Sequence, residues 1–218
     1  TACVEVGQGF ITLIHQIAEE VLGTSDITII PADTSIGSAG STSASRQTWM
    51  SGGAVLKACE SVVVKLIEQI FEEEGVKYEN LDGTLVSEDG TKTIPIAEAL
   101  KGRSFYEKVV HRHAPTFPLN NKGQGDAHVS FAFAAHRAVV DVDQELGLVR
   151  VIEIATSQDV GRILNPLQAV GQIEGGITQG LGLAVLEELV MKNGVIQNAN
   201  FTDYLLPTAL DTPPIEIA

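Results

Sequence analysis

Apolar positions recur at helical spacing over residues 10–22 (FITLIHQIAEEVL), and Gly23 follows as a natural stop, so the pattern predicts a first helix there. The stretch before it, 1–6 (TACVEV), alternates. The stretch after it, 27–31 (ITIIP), is short and β-branched. Both read as strands, which gives β–loop–α–β with Gly7-Gln8-Gly9 as the turn into the helix. A second helical period runs over 47–74 and ends at Gly75, with Val55, Ala58, Val62, Leu66, Ile67 and Ile70 as the expected core stripe. Residues 76–126 are more polar and broken by turns. They predict short strands at 83–87 and 91–94, a short helix at 96–101, a strand at 105–114 and a loop at 120–126. Two long strand patterns follow, 128–142 and 148–157, joined by the turn DQELG. The second of two long helices is expected over 166–189, with Asn165 as its cap and Pro166 in its first turn. A hairpin turning at Asn193-Gly194 and a last strand complete the chain. The fold class expected is α+β, in two sublobes that split near 120 (1–120 and 121–218), each a mixed β-sheet with packed helices.

Composition narrows the functions open to such a fold. The 218 residues carry a net charge of −14, which disfavours nucleic acid or an anionic membrane as partner. No apolar run is long enough for a membrane helix and no signal peptide is visible, so a cytoplasmic location is expected. Both ends read as interruptions of strands, so the chain looks like part of a longer sequence. Cys3 and Cys59 are too few for a four-thiolate metal site, and are expected as two buried thiols in a reducing compartment.

Three segments could carry chemistry. Gly7-Gln8-Gly9 combines backbone freedom with an amide that both donates and accepts, although an ordinary strand-to-helix turn would look the same. Gly40–Gln47 (GSTSASRQ) is small and hydroxyl-rich, precedes a helix and ends in Arg46-Gln47. Such a loop presents free N–H groups, hydroxyls and a cation to a phosphate or polar heterocycle. A surface loop with a helix cap is the plainer alternative. Neither a Walker loop nor a dinucleotide fingerprint is present. The third segment, Gly171-Gln172-Ile173-Glu174-Gly175-Gly176 with Gln179-Gly180-Leu181-Gly182 after it, puts glycines inside a helix. Each costs about 1 kcal/mol against alanine. Either something approaches that backbone closely or the helix packs tightly there, the latter being expected for Gly180 and Gly182. His111 and His113 would share one face of a strand but have no third ligand nearby, so no metal site is expected. No GxSxG elbow accompanies the serines and histidines. Glu72-Glu73-Glu74 reads as a solvated helix end.

Taken together, EVGQGFITLIHQIA, STSASRQTWMSGGAV, QDVGRILNPLQAVGQIEGGITQGLGLAVLEE and TDYLLPTALDTPPIE resemble the C-terminal molybdopterin-binding part of the large subunit in the xanthine dehydrogenase/aldehyde oxidoreductase family of molybdenum hydroxylases, bacterial xanthine-dehydrogenase-like subunits above all, in the family's order and across essentially the whole chain. Residues 76–126 carry no matching motif. The resemblance implies a molybdopterin cofactor with molybdenum, in bacteria often as the cytosine dinucleotide. It implies iron–sulfur and FAD domains or subunits as electron partners, together with the rest of the large subunit. By position, Gln8 and Gly9 match the GQG turn at the cofactor, Thr42, Ser43, Ala44, Ser45, Arg46 and Gln47 match the loop around pterin and phosphate, and Gln172 matches a glutamine at the pterin edge. Arg46 departs from some members. The implied reaction is hydroxylation of a purine such as xanthine, with water as oxygen source. The glutamate base is expected beyond Ala218, so the chain alone is expected to be inactive and to hold no catalytic residue. Alternatives are an aldehyde or other N-heterocycle oxidoreductase of the same family, or a binding module that has lost its catalysis. Uncovered apolar edges are expected to favour self-association of the isolated chain.

Overall fold

A computed structural model of the protein describes residues 1–30 and 32–218, which divide into two compact units, Thr1–Val129 and Ser130–Ala218. The expected split near 120 falls in the irregular stretch just before that division. The architecture is α+β.

In the first unit, helix α1 (Phe10–Leu22) forms where its apolar period predicts, between Gly9 and Gly23, both left-handed. It buries Phe10, Ile14 and Ala18. Helix α2 (Gly53–Glu74) is closed by left-handed Gly75. Its buried residues are Val63, Leu66 and Ile70, with Ile67 packed alongside, so Val63 takes the place expected of Val62. A wide, π-helical turn, Thr48–Gly52, precedes α2 where the sequence predicts regular helix. Strands β1 (Tyr78–Leu81), β2 (Thr84–Ser87) and β3 (Thr93–Pro95) form an antiparallel sheet, and α3 (Ile96–Ala99) follows directly. Val63, Leu66, Ile70, Tyr78, Leu85, Ile96 and Ala99 close into one core between α2, the sheet and α3. A second cluster gathers Cys3, Phe10 and Ile14 against Ile29 and Val55.

Two expectations for this unit are corrected. Residues 1–6 and 27–30 form no ladder; Pro31, the last residue of the second predicted strand, lies outside the described residues. The two segments are nonetheless tied, Ala32 N–H to the Cys3 carbonyl (3.2 Å) and Asp33 N–H to the Thr1 carbonyl (3.1 Å). Residues 105–114 form no strand either. Their period-2 pattern survives as alternate burial, with Phe105, Glu107, Val109 and His111 half-buried and 106, 108, 110 and 112 exposed. Glu107 pairs with Lys65 of α2, and Arg103, just upstream, pairs with Glu73. The segment is an extended strap laid on a helix, so alternation reports one buried face without a partner strand.

In the second unit, β4 (Phe133–Asp143) and β5 (Leu148–Asp159) make a long antiparallel hairpin with a bulge at Val139/Val140, and β8 (Ile215–Ile217) adds parallel to β5. This sheet is mixed; the mixed sheet expected in the first half is antiparallel throughout. Helix α4 (Pro166–Val185) is capped by Asn165, whose side chain accepts from the Gln168 N–H at 3.0 Å. It ends four residues before the predicted 189, because the Glu187 N–H folds back onto the Gly182 carbonyl. β6 (Met191–Lys192) and β7 (Val195–Ile196) form the predicted hairpin, with Asn193 and Gly194 both at positive φ, as a type I′ turn requires. Every residue of β4 is exposed, and α4 buries only Leu181 and Gly182.

Candidate cofactor-binding site

The turn into α1 is built around a residue that the sequence pattern did not single out. Glu5 turns its carboxylate back over the helix start. One oxygen accepts from the N–H groups of Gly7 (2.8 Å) and Gly9 (3.1 Å), the other from Ile11 (3.0 Å). These donors have no partner inside the helix. Partial burial pushes the Glu5 carboxyl up. The N–H groups of Ile11, Gly7, Gly9 and Phe10 outweigh it and hold the group below the usual carboxylate range. Gly7 and Gly9, at φ +99° and +81°, make the reversal possible. Gln8 sits at its apex. Its Nε2 donates to the Val4 carbonyl (2.9 Å) and its Oε1 accepts from the Val6 N–H (2.7 Å). An amide has two hydrogens and two lone pairs, so one donor and one acceptor remain for a ligand.

The hydroxyl-rich loop is held from inside. Gln47 is 5% exposed. Its Nε2 donates to the carbonyls of Ala39 (3.3 Å) and Ser41 (2.9 Å), and its Oε1 accepts from the Ser51 hydroxyl. Both amide hydrogens are thus spent on the chain itself, and the side chain braces the loop. Outside that brace, Ser43, Ala44 and Ser45 are exposed and Thr42 half-exposed. Ala44 and Ser45 lie at φ +62° and +50°, a left-handed conformation rare for residues with a Cβ. The Ser41 and Ser43 hydroxyls share a hydrogen bond at 2.7 Å. Arg46 Nε donates to the Ser41 carbonyl (2.9 Å), and its guanidinium lies where a Cβ on Gly40 would be. The loop therefore offers hydroxyls, backbone groups and one cation to solvent, immediately before the π-helical turn.

On α4, Gln172 is exposed. Nothing stands within 4 Å of a Cβ built on Gly171, Gly175, Gly176 or Gly180. Packing is the reason for glycine only at Gly182, where Glu187 and Pro207 close in, the nearest Pro207 atom 2.8 Å away. Tight packing, expected at Gly180 as well, is absent there. Gly171, Gly175, Gly176 and Gly180 leave a bare helix face beside Gln172.

His111 does not stand in a strand beside His113. Its ring tilts against Trp49, centroids 5.6 Å apart, and a Cβ on Gly53 would lie 2.6 Å from it. His113 bonds the Ala114 carbonyl through Nδ1 (2.6 Å). Among the described residues no group of three His, Cys, Asp or Glu side chains is placed to hold a metal. No described helix is long and apolar enough to cross a membrane. Cys3 is buried and Cys59 half-buried, both free thiols raised by burial.

The sequence profile of the molybdopterin cofactor-binding domain matches residues 1–213. The chain belongs to this family. Its place is in the large subunits of the xanthine dehydrogenase/aldehyde oxidoreductase group. It is 30% identical over 223 residues to the nicotine 6-hydroxylase large subunit of Paenarthrobacter nicotinovorans, covering 97% of this chain and 27% of that protein. It is 29% identical over 216 residues to a probable xanthine dehydrogenase subunit of Bacillus subtilis, covering 98% and 29%. The chain thus spans under a third of the length of these relatives. The Cu,Mo-CO dehydrogenase crystal structure superposes with a TM-score of 0.78 at 23% identity, over 99% of this chain and 28% of that one, which establishes the shared fold.

The residues present fit such a cofactor. A flat, polar heterocycle with an anionic arm needs amide edges, backbone and hydroxyl donors, and a cation. Within the first unit, half-buried Gln8 offers an amide edge and Ser43–Arg46 offers hydroxyls, backbone groups and a cation; on α4 of the second unit, Gln172 offers an exposed amide.

Proposed function

We propose that this molybdopterin cofactor-binding domain supplies Gln8, Gly9, Thr42–Gln47 and Gln172 to the cofactor site of a molybdenum hydroxylase that oxidises a purine such as xanthine. The observation that carries the proposal is the Ser41–Gln47 loop. Its side-chain brace points inward while its strained backbone, hydroxyls and Arg46 remain available. Thr42, Ser43 and Ser45 would bind through hydroxyls and backbone donors, Arg46 would meet the anionic arm, and Gln47 would keep the loop in shape. Gln8 would use its remaining donor and acceptor, and Gln172 would pair with the pterin edge. The two sequence halves would then be two molybdopterin-binding sublobes. The cofactor, when bound, supplies the redox chemistry by which a carbon gains oxygen from water. The proton acceptor of that reaction would be a glutamate contributed by the remainder of the large subunit.

The similarity to the xanthine dehydrogenase subunit supports the purine reading. The 30% identity to the nicotine 6-hydroxylase subunit favours a second reading, another N-heterocycle. Partners would be the remainder of the large subunit, which the uncovered β4 face would meet, and iron–sulfur and FAD domains or subunits. The test uses the full-length protein that contains this chain, made in a host that synthesises molybdopterin. One molybdenum and one pterin per polypeptide, with turnover of xanthine ahead of nicotine and aldehydes, is the expected result. Nicotine-type turnover replaces the purine assignment, and absence of pterin removes the whole reading.

A further inference from the structure

The remaining donor and acceptor of Gln8 are useful only if the turn that carries it is rigid. Val6 and Gly7 are exposed, and no atom lies within 4 Å of a Cβ on Gly7. Two glycines at positive φ flank Gln8, and glycine resists order more than any other residue. The order comes from polar contacts, and Glu5 makes three of them, spanning the turn from Gly7 to Ile11. The Gln8 side chain closes the inner edge between Val4 and Val6. Glu5 also places a negative charge at the positive end of α1, where a ligand phosphate would otherwise be drawn.

We infer that Glu5 is a positioning residue for cofactor binding: its carboxylate fixes the Gly7-Gln8-Gly9 turn so that Gln8 faces the ligand, and it closes the α1 N-terminus to phosphate. This rests on the proposed function for its cofactor part and on local geometry for its positioning part. The anionic arm of the ligand is then received at Ser43–Arg46 and not at α1.

The experiment compares Glu5→Gln, Glu5→Ala and Glu5→Asp in the full-length protein by residue-resolved amide hydrogen exchange and by pterin content. Glu5→Gln keeps the shape, but its single amide oxygen is a neutral, weaker acceptor for Gly7 and Gly9 and leaves the Ile11 N–H facing an NH2 group. Exchange at Gly7, Gly9 and Ile11 should rise about tenfold or more, as for a lost charge-assisted bond, with Leu66 and Ile70 unchanged. Pterin content should fall to about half or less. Glu5→Ala, with no acceptor at all, should show at least the same rise and the same loss. Glu5→Asp, one methylene shorter, should keep protection at Gly7, lose it at Ile11 and retain most of the pterin. Three results overturn the inference: wild-type exchange in Glu5→Gln, faster exchange spread evenly to the α2 core, or faster local exchange with full pterin content. If the wild-type protein carries no pterin, the proposed function fails, and the exchange measurements alone still decide whether Glu5 orders the turn.

Discussion

Removing the brace beneath the hydroxyl-rich loop should cost stability in a way that depends on Ser51. Gln47 and Ser51 are 5% and 8% exposed, and each is the other's partner. In Gln47→Ala the Ala39 and Ser41 carbonyls lie near the surface and regain water, so their loss is small. The Ser51 hydroxyl stays buried with its oxygen acceptor gone and only the weakly accepting Cys3 sulfur beside it, at about 1–3 kcal/mol. The missing methylene adds roughly 0.8 kcal/mol. The expected destabilisation is about 2–4 kcal/mol. Ser51→Ala should cost less in the Gln47→Ala background than alone, because it removes the orphaned hydroxyl, leaving a coupling of about 1 kcal/mol. Urea unfolding followed by Trp49 fluorescence reads all four corners of the cycle, since Trp49 is the sole tryptophan and sits two residues from Gln47. Additivity within about 0.3 kcal/mol would refute the brace.

Other substitutions probe the remaining features. Gln172→Ala in the full-length protein should lower pterin and molybdenum content by leaving ligand polar groups unpaired at about 1–3 kcal/mol, with the Tm of the cofactor-free protein unchanged because Gln172 is exposed; elemental analysis checks it. Leu66→Ala, at a position with no exposed surface, should destabilise by about 3–5 kcal/mol in the same urea assay. The Ser87 hydroxyl and the Thr91 N–H and hydroxyl hold the Asp89 carboxyl at about 2, below its ordinary 3.8. A depressed carboxyl pKa stabilises above the unfolded value and loses that contribution as pH falls towards 2. Asp89→Asn should therefore narrow its stability deficit across that acid interval, and a constant gap from pH 7 to about 2 would contradict this.

Much of the fold is legible in the sequence where periodicity coincides with caps. α1 lies between Gly9 and Gly23, α4 begins at Asn165-Pro166, and the Asn193-Gly194 hairpin has no competing reading. Legibility fails where tertiary contacts decide. β1 reads as polar turn because only Tyr78 of its four residues is buried. The 105–112 strap has a strand's alternation but lies on α2. The wide turn at Thr48–Gly52 has no pattern of its own, since Gly52 and Gly53 fit a regular helix equally well. At the site, the segments are legible but their division of labour is not. The sequence presents Gln8 and Gln47 as equivalent amides, yet one keeps a free donor and acceptor while the other is buried. Glu5 escapes a reading by motif although a signal is present: a carboxylate two residues ahead of GQG is placed to fold back onto the freed N–H groups of the helix start.

The central claim is that Gln8, the Thr42–Gln47 loop and Gln172 hold one pterin. A crystal structure of the cofactor-loaded, full-length protein tests it most directly. The account predicts one pterin within hydrogen-bond distance of Gln8, of loop N–H or hydroxyl groups, and of Gln172. A cofactor seated elsewhere, or these three elements facing unconnected surfaces, would contradict it.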